Sequence, residues 1–271
     1  MSRILADYHM HTLFSPDGHC SPEEMCRAAL DKGLTEIAVT DHFEFFTDGI
    51  FEDAKYRVET IAACYRELDV CRETFAGRLK IRSGIEIGQP QTAPDDAAKV
   101  MAALPLDYVI GSVHKLKDID LGLVDYPDEI IPGRVRENLA MLYELADRYD
   151  YDCLGHLDIV KRYAAVHGKK IDLMDYRDGL EPVLRRAVER GKGIELNTSG
   201  ARQAAKEALP STAVLKLYRS LGGEILTVGS DAHYARDVAA DFNIAREMAL
   251  EAGFRYLAVY EKRVPEFYSI V

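Results

Sequence analysis

The 271-residue sequence is poor in cysteine and contains no C-x-x-C pair. Its five cysteines (Cys20, Cys26, Cys64, Cys71 and Cys153) are odd in number, which excludes a complete disulfide framework and gives no sign of a structural zinc knuckle. A reducing cytoplasm is the expected setting. No apolar run is long enough to span a bilayer, and the opening Met-Ser-Arg-Ile-Leu-Ala-Asp lacks a signal-peptide pattern, so no membrane partner is expected. Positive charge is also short: 34 Lys and Arg stand against 45 Asp and Glu, a formal net charge of -11. This speaks against binding long nucleic acid through its phosphates. The acidic balance serves solubility, and a carboxylate site for several cations would add to it. No repeat, low-complexity linker or composition shift divides the chain. One domain over residues 1–271 is expected, although the length also suits two small ones. Nothing in the sequence reads out an oligomeric state.

What is present is alternation. Apolar, β-branched runs at Ile4–His9, Glu36–Thr40, Lys80–Gly88, Tyr108–His114, Cys153–Leu157, Gly193–Asn197, Glu224–Gly229 and Arg255–Tyr260 predict strands. Helices are predicted between them. The first opens at Ser21-Pro22-Glu23-Glu24, where Ser21 and Glu24 form a capping box, and stops near Lys32-Gly33. Others fit Asp53–Phe75, Asp95–Met101, Arg134–Arg148, Met174–Arg190, Thr212–Leu221 and Asp237–Ala252. Phe43–Phe51, Lys115–Pro132 and Lys161–Lys170 carry no clear pattern, and each follows a histidine-tipped strand. Such alternation predicts an α/β fold with a parallel sheet. A closed barrel sets the C-terminal ends of all its strands on one face, whereas an open doubly wound sheet gathers ligands only at a crevice.

Six of the eight histidines end these runs: His9 and His11, His42 after Asp41, His114, His156, and His233 two residues after Asp231. A lone strand histidine such as His42, His114 or His156 is, taken singly, more often an ordinary core or surface residue, and His19 and His167, in loops without this context, are read as ordinary histidines. Five such runs in one chain point instead to a single site for several divalent metals, and so to hydrolysis. His9 and His11 lie two apart on a strand, which turns both side chains to one face, and Asp231 and His233 repeat that spacing. Glu86, flanked by isoleucines at a strand end, is costly there unless it ligates or is paired; it is either a bridge between two cations or a salt-bridged acid. Asp17, in Ser15-Pro16-Asp17-Gly18, reads as a turn residue. Asp41, Asp158 and Glu195 read either as acids that orient ligand histidines or as caps and loop salt bridges.

Four stretches together resemble the PHP family (polymerase and histidinol phosphatase): His9-Met-His11-Thr-Leu-Phe-Ser-Pro-Asp17-Gly18, Thr40-Asp41-His42, Gly84-Ile-Glu86-Ile-Gly88 and Gly229-Ser-Asp231-Ala-His233. His114 and His156 fall in order between them. The resemblance spans nearly the whole chain. It implies a distorted (β/α)7 TIM-like barrel with a trinuclear centre of zinc, manganese or iron, singly or mixed. By motif position, one metal takes His9, His11, Glu86 and Asp231. A second shares Glu86 and takes His114 and His156. A third takes Asp17, His42 and His233, so Asp17 becomes a ligand as well as a turn residue.

Such a centre implies phosphate-ester hydrolysis by attack of a metal-bridging hydroxide. Asp231 or His233 is expected to relay the proton to the leaving alkoxide. By the resemblance, Arg162 and Arg202 hold the phosphate, with Lys115 as a further cation; each reads as a surface cation too. The size and layout are similar to those of stand-alone histidinol phosphatases, which implies a small phosphorylated substrate, L-histidinol phosphate. Its cationic end would need an acid, and Glu44, Asp48 and Asp125 are all available. Rival readings are a family member acting on nucleotides or other phosphate mono- or diesters, a metal-dependent amidohydrolase, and a non-catalytic metal-binding module. Amidohydrolase barrels of this kind typically use a bridging lysine, and no lysine ends a strand among these ligands. The complete ligand set opposes the non-catalytic reading.

Overall fold

The computed structural model describes residues 3–46, 56–117 and 119–271. The first strand, β1 (Ala6–Asp7), is followed by helix α1 (Pro22–Asp31). Ser21 Oγ accepts the Glu24 N–H, and the Glu24 carboxylate accepts the Ser21 N–H at 2.8 Å, which is the reciprocal cap expected from the sequence. Gly33 follows with φ +74°, a left-handed conformation that stops the helix cheaply only at glycine. Next come β2 (Glu36–Val39), β3 (His42–Glu44), α2 (Val58–Thr74), β4 (Lys80–Gly88), α3 (Pro94–Ala103) and β5 (Tyr108–Ser112). A small antiparallel hairpin of β6 (Lys115–Leu116) and β7 (Ile119–Asp120) precedes α4 (Ile131–Arg148). The chain continues through β8 (Cys153–Leu154), α5 (Ile159–Val166), α6 (Arg177–Glu189), β9 (Gly193–Asn197), α7 (Ser199–Arg202), α8 (Thr212–Ser220), β10 (Leu226–Gly229) and α9 (Phe242–Glu251). It ends with β11 (Tyr256–Glu261) and β12 (Val264–Ser269).

The sheet runs β1-β2-β4-β5-β8-β9-β10, all parallel, and β3 extends β2 along the upper half of β4. Seven strand positions result, because β2 and β3 share one. Backbone bonds from Tyr8 N to Val228 O (2.9 Å), Asp231 N to His9 O (2.8 Å) and His11 N to Ala232 O (2.9 Å) join the last position to the first and close the barrel. Strands β2, β5, β9 and β10 are buried at every residue, which is why the sequence shows continuous apolar runs and not alternation. This is the (β/α)7 barrel expected above, not an open doubly wound sheet.

The eighth predicted strand is not a barrel strand. The run predicted at Arg255–Tyr260 is β11 (Tyr256–Glu261), which pairs antiparallel with β12 and plugs the N-terminal end of the barrel. Tyr8 Oη donates to Glu36 Oε1 at 2.6 Å and accepts the Tyr260 N–H at 2.7 Å, and the Tyr8, Tyr108 and Tyr260 rings pack at 5.0–6.4 Å. Arg263 in the hairpin turn ion-pairs with Asp152 and Asp150. The plug leaves the C-terminal mouth as the open end.

Two helices lie where no helix is predicted. α5 occupies much of 161–170, and α7 is a single turn after β9. In α5 the buried residues are Ile159, Val160, Lys161 and Ala164, too few to display a helical period in sequence. The predicted helix at Asp53–Phe75 is α2, which runs Val58–Thr74; residues 53–55 lie outside the described ones. Among the described residues no helix is long and apolar enough to cross a membrane.

Candidate metal centre

All nine predicted ligands converge on the C-terminal mouth. His9 and His11 follow β1, Asp17 lies in the next loop, His42 begins β3, and Glu86 is on the upper half of β4. His114 and His156 stand two residues past β5 and β8, and Asp231 and His233 follow β10. A closed parallel barrel brings these ends together, although they lie up to 224 positions apart along the chain (His9 to His233).

The donor atoms fall into sets. His9 Nε2 stands 3.1 Å from His11 Nε2, 3.3 Å from Glu86 Oε2 and 3.7 Å from Asp231 Oδ1. His11 Nε2 stands 3.6 Å from Glu86 Oε2 and 3.4 Å from Asp231 Oδ1. Donors held at about 2.0–2.1 Å by one tetrahedral ion lie about 3.3 Å from each other, so these separations fit the edges of such a cage. The other carboxylate oxygen, Glu86 Oε1, is 3.2 Å from His114 Nε2 and 2.9 Å from His156 Nε2, and those two nitrogens are 3.3 Å apart. Nearer the surface, Asp17 Oδ2 lies 3.0 Å from His233 Nε2 and 3.6 Å from His42 Nε2. Several trios in the cluster, among them His9-His11-Asp231, His9-Glu86-His156 and His11-His42-His233, gather one donor each within 4.8 Å, which suits divalent cations.

Electrostatics agree with a cation site. Glu86 is fully buried; its Oε2 and His42 Nδ1 stand 2.8 Å apart without the alignment of a hydrogen bond, and His156 Nδ1 makes no hydrogen bond among the described residues. A buried carboxylate oxygen so poorly satisfied is costly, and a cation offsets that cost. Burial opposes ionisation of Glu86, but His9, His114 and His42 outweigh it and hold its carboxyl well below the usual range. Burial likewise opposes charge on His9, yet Glu195, Glu86 and Asp231 hold its pKa well above the ordinary value. His11 is pushed down to about 3 by burial and by the neighbouring His42 and His233, so it is a neutral imidazole with a free lone pair.

A ring of orienting groups surrounds the donors. Glu195 Oε1 accepts from His9 Nδ1 at 2.7 Å, and its Oε2 accepts the His156 N–H at 2.9 Å. With Nδ1–H given to Glu195, His9 presents Nε2 to the cluster. Asp41 acts at one remove: it accepts from Thr12 and from Ser15 Oγ, and Ser15 Oγ lies 3.2 Å from His11 Nδ1. Asp158 pairs with Lys161 at 3.2 Å, which is the loop salt-bridge reading of that acid. Ser15, Asn197 and Ser199 are absent from the sequence-based set, and Glu44 is in it only as an acid for the substrate's cationic end. Glu44 had a signal: two residues after His42 in a strand, it must share a face with it. Its carboxylate meets His114 Nδ1, Lys115 Nζ and Gln89 Nε2. Gly88 makes room for it, since a Cβ there would lie 2.1 Å from Glu44 Oε1.

The phosphate-binding expectations divide. Arg162 lines the cavity over the cluster, with Nη1 3.4 Å from Asp231 Oδ2 and Nη2 donating to Tyr163 Oη at 2.9 Å. Lys115 also lines it, but its ammonium is tied to Glu44 and lies 4.8 Å from the Phe46 ring centre. Arg202 stands outside the cavity lining and donates to the backbone carbonyls of Ser230 and Asp231. There it props the turn in which Asp231 adopts φ +54°. The acids offered for the substrate's cationic end fare poorly. Glu44 is already neutralised, Asp125 is exposed and outside the cavity lining, and Asp48 lies outside the described residues. His19 stacks on Tyr234, and His167 ends α5 away from the cluster, as ordinary histidines.

The chain is similar to the histidinol-phosphatase of Lactococcus lactis, with 29% identity over 257 residues covering 94% of this chain and 93% of that protein. It is also similar to the crystal structure of the histidinol phosphate phosphatase from that organism, complexed with zinc, L-histidinol and phosphate. The TM-score is 0.85 at 27% identity, over 96% of this chain and 98% of that one. A putative histidinol phosphatase from Listeria monocytogenes shares the fold, with a TM-score of 0.75 at 17% identity, covering 88% of this chain and 99% of that one. The PHP domain model matches residues 7–199, more than half of the sequence and five of the six histidines of the cluster, and the chain belongs to the PHP family.

Proposed function

We propose that this protein is a metal-dependent phosphomonoesterase that hydrolyses L-histidinol phosphate to L-histidinol and phosphate. The observation that carries the reading is Glu86, whose two oxygens face different histidine sets beneath a cavity lined by Arg162. The likeness to a zinc-, histidinol- and phosphate-bound relative over nearly all of both chains supports the choice of substrate. The unit proposed is the whole of residues 1–271 as one domain, because β10 and the plugging hairpin lie beyond residue 199 and complete the barrel.

In this reading three divalent cations are held by His9, His11, Glu86 and Asp231, by Glu86, His114 and His156, and by Asp17, His42 and His233. Zinc, manganese and iron all suit this mixture of nitrogen and oxygen donors. When bound, the cations supply Lewis acidity at the phosphoryl oxygens and make water a nucleophile at neutral pH. The chain's own groups do the rest. Arg162 offers a fixed guanidinium to the phosphate, and its bonds to Tyr163 and Asp231 hold it in place. Glu195 and the Glu44–Gln89–Lys115 group keep His9 and His114 in one ring orientation. Asp231, whose Oδ1 faces His9 and His11 while its Oδ2 is turned toward Arg162 in the cavity, would pass a proton toward the leaving alkoxide through that second oxygen.

The test is a substrate panel on metal-loaded protein: histidinol phosphate, a nucleotide monophosphate, a phosphodiester and a dipeptide. Rapid phosphate release from histidinol phosphate alone is expected. Cleavage of any other member without release from histidinol phosphate would refute the substrate, and fewer than two metals per loaded chain would count against the trinuclear centre. Arg162→Ala is expected to lower kcat/KM for the monoester by about 100-fold, the scale of a charged phosphate contact; unchanged kinetics would remove Arg162 from the phosphate site.

A further inference from the structure

A phosphatase built only around phosphate would not distinguish one alcohol from another, so the lining of the cavity above the cluster carries the remaining information. Its carboxylates are Asp17, Glu44, Asp120 and Asp231. Asp17 and Asp231 face histidines of the cluster, and Glu44 meets Lys115 and His114. Asp120 differs: among the described residues no cation pairs with it. Its position is nevertheless fixed. It ends β7, opposite Lys115 in the ladder, and Oδ1 accepts the Gly122 N–H at 2.7 Å. The next residue, Leu121, donates its N–H to the His114 carbonyl at 2.9 Å, which ties the hairpin to the cluster. One oxygen therefore sets the rotamer and leaves the other for a ligand. On the same wall, Tyr163 packs beside Gly122 and accepts from Arg162. A fixed carboxylate and a fixed guanidinium on one small cavity match a ligand that carries both an anion and a cation.

We infer that Asp120 is a specificity-determining residue that receives the ammonium of an aminoalkyl phosphate, so that the site selects phosphomonoesters with a positive charge on the alcohol. This deepens the function proposed above and rests on its phosphomonoesterase reading. The contact is a charge-assisted hydrogen bond across a partly closed cavity and makes no demand on the bond-breaking step.

The test compares 2-aminoethyl phosphate with its neutral isostere n-propyl phosphate, using metal-loaded wild-type protein and Asp120→Asn. Asparagine keeps the acceptor for Gly122 and removes only the charge. The wild type is expected to favour the aminoalkyl ester by at least about tenfold in kcat/KM, and the variant to lose about tenfold of that ratio through KM. An unchanged ratio in the variant overturns the inference, as does a wild type without preference, a result that does not depend on the variant folding. Failure of the parent reading looks different: no turnover of histidinol phosphate by the wild type, whatever the ratio of the two small esters.

Discussion

Glu86 shows what a single residue does in this fold. Two isoleucines flank it in sequence and place it in an apolar strand, yet its oxygens face His9 and His11 on one side and His114 and His156 on the other. The acids behind the histidines are equally specific. Glu195 serves His9 with one oxygen and the His156 backbone with the other, so it steadies two donor sets at once. Replacing it with glutamine keeps an acceptor but removes the charge that makes the imidazole a stronger ligand. Glu195→Gln is expected to weaken metal affinity by about 10–100-fold with the fold retained, measured by metal titration of the stripped protein. Gly229, in the last motif, has its reason here too: a Cβ would lie 2.3 Å from Glu195 Oε1 and from His9 Cβ. The donor residues themselves were legible because histidine and carboxylate at strand ends are rare together. Glu44 was legible only in part: its spacing from His42 puts both on one strand face, but its service to the ring nitrogen of His114 depends on a partner 70 positions away.

At the scale of the element, local chemistry was a good guide wherever a segment carries its own boundary signals. α1 shows this best, with Ser21, Pro22 and Glu24 at its start and Gly33 after its end. Ser21→Ala should destabilise the protein by about 1 kcal/mol, seen as a lower denaturation midpoint with an unchanged slope, because an N-cap acceptor is lost and no core contact changes. The fully buried strands were equally visible as apolar runs. α5 and α7 were not, being short and placed by what they pack against. The broken strand β2–β3 is another case: Thr40 and Asp41 interrupt it, and Asp41 turns away to bind Thr12 and Ser15. That break is decided by a partner about 30 residues away, not by local propensity.

At the scale of the molecule, the barrel has one working end and one sealed end. The seal is a hairpin held by Tyr8, Tyr108 and Tyr260 and by Arg263 over Asp152, which is 3% exposed. Arg263→Ala leaves that acid buried without its cation. A loss of about 3 kcal/mol is expected in urea unfolding, with metal content per folded chain unchanged because the centre lies at the opposite end. The order of strands and helices, the residue types able to bind cations and the shared face of His9 and His11 were set by the sequence, because each depends on neighbours within a few positions. Closure of the barrel, the role of 255–269 as a plug, the position of Arg202 outside the cavity lining, the tie between Lys115 and Glu44, and the lack of a paired cation at Asp120 among the described residues were decided by tertiary structure alone. Those features depend on which distant groups meet, and a charge is spent or free only according to what stands within a hydrogen bond of it.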